Sequence, residues 1–168
     1  MISVLFYLSA LVALVSAILT VTRHNAIHAL LYLVVTMMAI SLIFFLFGAP
    51  FASALQVIVY AGAIMVLFVF VTMMLHQGDV SLKKEQELYK PKRAIGAAVL
   101  CIILLGELIF LLSPLSDLHS QLTPMGPREV GLQLFGPYML LVEIAALLLL
   151  SSLVGAFHIG RRHKERAS

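Results

Sequence analysis

Charge is scarce in this chain. Of its 168 residues only 11% are Asp, Glu, Lys or Arg, tryptophan is absent, and there is a single cysteine, Cys101. Ordinary soluble domains carry roughly 25% charged residues. With 62% of the chain apolar, a soluble enzyme of this size is excluded, because a small domain buries only about two-thirds of its surface. Disorder is excluded as well, since it needs low hydrophobicity and high charge. One cysteine excludes an internal disulfide, and no Cys/His spacing suits a metal. No basic stripe interleaves with aromatics, which argues against nucleic acid as a partner. There is no phosphate-cradling glycine loop, no nucleophile beside a base, no haem-type histidine pair and no cysteine cluster for iron–sulfur. The expectation is a chain with no catalytic residue, metal site or bound cofactor of its own.

What is abundant is long apolar sequence. The first run reaches Thr22 with no charge before Arg23. Val15-Ser16-Ala17 resembles a signal-peptide cleavage triplet, but the basic segment that precedes such signals is missing, so a membrane helix is expected. From Ala29 to Leu75 there is neither a charge nor a histidine. As one helix this stretch would extend roughly 70 Å at 1.5 Å per residue, against a hydrocarbon core of about 30 Å. It must fold back, and Gly48-Ala49-Pro50 is the natural break. A fourth apolar run precedes Ser113 and a fifth follows Gly136-Pro137. The chain is therefore expected to be an all-α integral membrane protein with five transmembrane helices, near 2–22, 28–47, 53–76, 94–113 and 136–158. Residues 1–160 form one membrane domain and 161–168 a basic tail. The connections 77–93 and 114–135 are expected to be loops.

The basic residues are distributed unevenly. Arg23, Lys83, Lys84, Lys90, Lys92, Arg93, Arg161, Arg162, Lys164 and Arg166 all fall on one side of a five-span topology, and only Arg128 on the other. The positive-inside rule then puts the N-terminus outside and the C-terminus inside.

Few residues in the spans could carry chemistry. Glu107 and Glu143 are ionisable groups at bilayer depth, where charge is expensive and commonly functional. Each lies roughly 5–6 Å from its helix centre, on the outer side. Glu107 has no polar neighbour on its own helix face, which favours a structural or incidental role, protonated or bonded to a neighbouring chain. Glu143 shares its side with Ala146, Leu147, Leu150 and Val154, so any proton partner must come from another helix. In the third span Gln56 and Tyr60 are four apart and face the same way. Ala61-Gly62-Ala63 follows, where small residues permit close helix approach and glycine marks possible hinges or π-bulges. His24 and His28 are four apart but lack a third ligand.

Three stretches carry a specific resemblance: Asn25-Ala-Ile-His-Ala-Leu-Leu-Tyr-Leu33; Gly48-Ala-Pro-Phe-Ala-Ser-Ala-Leu-Gln-Val-Ile-Val-Tyr-Ala-Gly-Ala-Ile-Met-Val-Leu-Phe-Val-Phe-Val-Thr-Met-Met74; and Gly131-Leu-Gln-Leu-Phe-Gly-Pro-Tyr138 with Val142-Glu143. Together they resemble the J-subunit family of the bacterial proton-pumping NADH:quinone oxidoreductase, respiratory complex I, whose mitochondrial counterpart is NADH dehydrogenase subunit 6. The resemblance spans all five helices and is dense over 25–76 and 131–160.

The resemblance implies a multi-pass subunit of a hetero-oligomer in the bacterial inner membrane. It would lie between the quinone-site subunit and the antiporter-like subunits, with FMN, iron–sulfur clusters and quinone held by other subunits. It implies a π-bulge in the third helix over Tyr60, Ala61, Gly62, Ala63, Ile64, Met65 and Val66, switching between π and α forms. Tyr60 and Glu143 are then the residues expected on the proton path. Some relatives have Glu where Gln56 stands, and an amide carries no proton, so Gln56 is not credited with transfer. Glu107 has no family counterpart. The alternatives are a subunit of a related ferredoxin-, formate- or cation-antiporter-type assembly, or a free-standing small transporter.

Overall fold

The computed structural model describes residues 2–23, 26–75, 95–113 and 124–165. His24, the connection carrying Lys83, Lys84, Lys90, Lys92 and Arg93, and Arg166 lie outside the described residues. Every described regular element is helical. In order these are α1 (Ile2–Thr22), α2 (Ala26–Leu46), α3 (Pro50–Leu55), a π-helical segment (Gln56–Ile64), α4 (Met65–Leu75), α5 (Ile95–Leu112), α6 (Pro127–Leu134) and α7 (Met139–Glu165). Helices are what a lipid environment demands, because each satisfies its own backbone hydrogen bonds. Five stretches are long and apolar enough to cross a membrane: Ile2–Thr22, Ala26–Leu46, Pro50–Met74, Ile95–Leu112 and Met139–Arg161. The third of these is α3, the π segment and α4 run together.

The expected boundaries shift in three places. The second span begins at Ala26 and the third at Pro50. Proline takes the first helical position, where its missing N–H costs nothing. The fifth helix begins at Met139, because Gly136-Pro137 stays in a turn; it then continues past His158 to Glu165, taking in the first residues of the expected tail. The connection expected to be a loop over 114–135 contains α6. This helix starts with Pro127 in its first turn and Glu129 beside it, a proline and an acid where a helix start favours them. A Cβ at Gly136 would press to 2.7 Å from the Leu132 carbonyl, so the exit from α6 needs glycine.

The described chain divides into two compact units, Met1–Met125 and Gly126–Ser168. In the first, α1 and α2 are joined through a core of Val12, Val35, Ala39, Leu42, Leu46, Leu104 and Leu111, the last two from α5. Ser9 and Ser16 are fully buried on α1. Small side chains at a helix contact let the backbones approach closely in lipid. Thr36 Oγ1 of α2 lies 2.8 Å from Ser16 Oγ, and Ser16 in turn donates to the Val12 carbonyl at 2.7 Å.

The break between α2 and α3 forms at Gly48-Ala49-Pro50. Gly48 has φ 74°, a conformation that penalises any Cβ. Its N–H donates to the Phe45 carbonyl at 3.0 Å and the Ala49 N–H to the Phe44 carbonyl at 3.1 Å. This pair of bonds is a Schellman cap, which satisfies the last carbonyls of α2. Ser41 then ties the two arms together: its Oγ donates to the Ser53 carbonyl at 3.0 Å and lies 2.8 Å from Ser53 Oγ. At the opposite end of α2, Tyr32 is 2% exposed and the Arg23 guanidinium lies 5.5 Å from its ring centroid. Gly96, in the first turn of α5, meets the Tyr32 hydroxyl: a Cβ there would fall well inside contact with Oη, and 3.4 Å from Cζ.

Candidate functional site

The third span changes hydrogen-bonding register in its middle. Over Gln56–Ile64 the helix is π-helical, with α-helix on both sides. At its end the Met65 N–H points at the carbonyls of both Gly62 and Tyr60, three and five residues back. Such segments are rare and concentrate at functional sites. Of the seven expected switch residues, Tyr60, Ala61, Gly62, Ala63 and Ile64 lie in the π segment, while Met65 and Val66 begin α4. The segment starts at Gln56, about a turn earlier than the resemblance implied. Gly62 is not at positive φ. A Cβ on it would meet only the Val57 carbonyl, at 3.4 Å, which is ordinary contact. Space alone therefore does not require glycine in this form of the helix.

Gln56 and Tyr60 part company. Gln56 is buried and its Nε2 donates to Met37 Sδ of α2 at 3.3 Å, while Tyr60, four residues on, is 47% exposed. The i, i+4 pairing of a straight helix surface is not made here. The side of the span that meets α2 at Gln56 has left it by Tyr60. The next buried residue along the span is Met65.

The two intramembrane carboxyls sit in different units and different surroundings. Glu143, in the second unit, lies about a turn into α7 and is exposed. Glu107 is 4% exposed in the first unit. The Ser9 hydroxyl of α1 donates to its Oε1 at 2.8 Å, and its Oε2 is buried with no partner. The bond expected from a neighbouring chain is thus made within this one, by Ser9. In the sequence, Ser9, Ser16 and Thr20 share one face of the largely apolar α1, and Ser9 and Glu107 each lie about 5 Å from their helix midpoints by the 1.5 Å rise. His28 at the start of α2 has both ring nitrogens buried and unpartnered. Among the described residues no three His, Cys, Asp or Glu side chains converge as a metal site would need.

Against known proteins, the profile of the family described as NADH-ubiquinone/plastoquinone oxidoreductase chain 6 matches residues 16–159. The chain is 46% identical over 159 residues to the NADH-quinone oxidoreductase subunit J of Escherichia coli strain K12, covering 95% of this chain and 86% of that protein. It is 46% identical over 158 residues to the subunit J of Pseudomonas aeruginosa strain PAO1, covering 94% of this chain and 95% of that one. A more distant subunit J, from Buchnera aphidicola subsp. Baizongia pistaciae, is 37% identical over 157 residues, with 93% and 96% covered.

Proposed function

Because this chain belongs to the NADH-quinone oxidoreductase subunit J family, we propose that it couples quinone reduction to proton translocation through its irregular third span and Glu143. It does so as one membrane domain with a basic tail, N-terminus outside, in the inner membrane of a bacterium. Its neighbours are the quinone-site subunit and the antiporter-like subunits, and the flavin, iron–sulfur clusters and quinone belong to other subunits of the complex. Family membership favours this reading over a free-standing transporter.

The observation that carries the reading is the π segment at Gln56–Ile64 with α-helix before and after it. A π turn holds an extra residue. Returning it to α-helical bonding changes the register by one residue, which turns everything downstream by about 100° around the helix axis. The near end is held by Ser41 on Ser53 and by Gln56 on Met37, so the turn falls on α4. Tyr60, whose carbonyl accepts from the Met65 N–H at the end of the π segment, gates the path beside it. Glu143 receives or polarises the proton on α7, its charge offset by a group on a neighbouring subunit. Two alternative arrangements of one element, biased by events elsewhere, are what a conformational switch requires.

The test is coupled pumping by the assembled complex in proteoliposomes. Glu143→Gln and Gly62→Leu should keep NADH oxidation and complex abundance while lowering proton translocation per NADH. Wild-type pumping in both variants at wild-type abundance refutes the reading. Loss of pumping only in step with loss of complex would make the chain's role purely structural.

A further inference from the structure

We propose that Ser9 and Glu107 form a second proton-holding site in this chain, where the Glu107 carboxyl in its acid form binds one water molecule at Oε2 and exchanges its proton with that water. The inference concerns residues outside the π segment and Glu143 and stands apart from the role given to them.

Three observations carry it. Glu107 and Ser9 are 4% and 0% exposed, so both sit in the packed interior between α1 and α5. Oε1 accepts from Ser9 at 2.8 Å, whereas Oε2 is buried and unpartnered. A buried carboxylate without a cation is strongly disfavoured, and no cation stands by: the described titratable or charged side chains of the elements packed on α5 are Tyr7 and Arg23 near α1, with His28 and Tyr32 on α2, and none of them bonds to Glu107. Arg23 instead lies over the Tyr32 ring. A bound metal ion is the wrong ligand, since hard cations take six or more oxygens and only one carboxyl and one hydroxyl converge here. The remaining occupant is a proton on Oε2, whose O–H then needs an acceptor. Buried water commonly satisfies such groups.

A cavity of about 230 Å³ opens at the N-terminal end of α1, lined by Ile2, Ser3, Phe6, Tyr7, Leu46 and Phe47. Phe6 is about one turn from Ser9 on α1, and Leu111 one turn from Glu107 on α5. Phe6 packs on the cluster that contains Leu46 and Leu111. Phe6 and Leu46 thus belong both to the cavity wall and to the apolar cluster that holds Leu111. In each exchange the Oε2–H bond breaks as its proton moves to the water oxygen. A different proton of that water returns to Oε2, so the carboxyl ends neutral and the water ends as water.

The test is infrared spectroscopy of the assembled complex in lipid, wild type minus Glu107→Gln. The amide keeps the shape and the acceptor for Ser9 but has no carboxyl. The expected difference is the loss of a single protonated-carboxyl C=O band, which shifts to lower wavenumber in D2O. Ser9→Ala should move that band to higher wavenumber, because its carbonyl oxygen loses a donor. Carboxylate stretches in place of the C=O band overturn the proposal, and so does a band that D2O does not move. If Glu107→Gln does not accumulate, wild type minus Ser9→Ala reads the same site: a shifted pair of protonated-carboxyl bands is expected, and its absence overturns the proposal.

Discussion

Gly96→Ala offers a sharp test of how α2 and α5 meet. The new Cβ would fall well inside contact with the Tyr32 hydroxyl oxygen. Tyr32 is 2% exposed, so the ring has no open space to swing into. Moving it off its rotamer costs about 0.5–1.5 kcal/mol, and overpacking a fixed core typically costs about 1–3 kcal/mol. A loss near 2 kcal/mol is therefore expected, roughly a thirtyfold change in an equilibrium constant. The same geometry names its own rescue. The next nearest atom to the new Cβ is Tyr32 Cζ, at 3.4 Å, an ordinary contact. Removing the oxygen with Tyr32→Phe should therefore make room for the methyl. The assay is a double-mutant cycle on the amount of assembled complex in membranes and on its thermal dissociation midpoint. Gly96→Ala should lower both, and the double variant should recover most of the loss, with a coupling energy of about 1–3 kcal/mol. A double variant as impaired as Gly96→Ala, or a Gly96→Ala complex as stable as wild type, would refute the packing argument.

Further outcomes follow from the turn, the clamp and the π segment. Gly48→Ala should destabilise the α2–α3 break by about 1–2 kcal/mol, because Gly48 holds φ 74°, whereas Ala49→Gly should be near neutral; complex abundance against temperature separates the two. Ser41→Ala removes the tie to Ser53 and should cost about 0.6 kcal/mol, the scale of interhelical hydrogen bonds in lipid, visible as easier proteolysis at the turn without loss of NADH oxidation. Gly62→Ala should assemble normally, since its Cβ meets only the Val57 carbonyl at 3.4 Å. A Gly62→Ala complex that fails to accumulate would contradict that geometry.

The five spans are legible because their signal is cumulative: each is a run of apolar residues the length of a bilayer, and Gly48-Ala49-Pro50 marks the natural place for the longest run to turn. Helix α6 is hard to read because eight residues of mixed character, Pro-Arg-Glu-Val-Gly-Leu-Gln-Leu, carry no such weight, and its start signals, Pro127 and Glu129, resemble those of a loop. The residues offer only Gly62 as a possible hinge or π-bulge, and the π segment itself is implied by the resemblance. Its composition, Gln-Val-Ile-Val-Tyr-Ala-Gly-Ala-Ile, fits an α-helix as well, and the difference lies in which carbonyl each N–H selects. Ser9 was missed for another reason. A serine in an apolar helix bonds its own backbone easily, as Ser16 does with Val12 and Ala13. Only the depth match with Glu107 across the fold distinguishes it.

The uniform chemistry of α4 has a consequence for rotation. Met65-Val-Leu-Phe-Val-Phe-Val-Thr-Met-Met74 is apolar on every side, and its one hydroxyl, on Thr72, is satisfied within the helix. In water, turning such a helix would exchange a buried face for an exposed one at large cost. In lipid the surrounding tails are as apolar as the side chains, so each orientation presents the solvent with nearly the same surface. Among the described contacts only Met65, 3% exposed, marks one orientation as preferred, and methionine is the apolar side chain that most readily adapts its shape. The bilayer thus leaves the angle of α4 almost free of solvation bias. The choice of angle falls to the backbone bonds of Gln56–Ile64 and to whatever neighbouring subunits press against it.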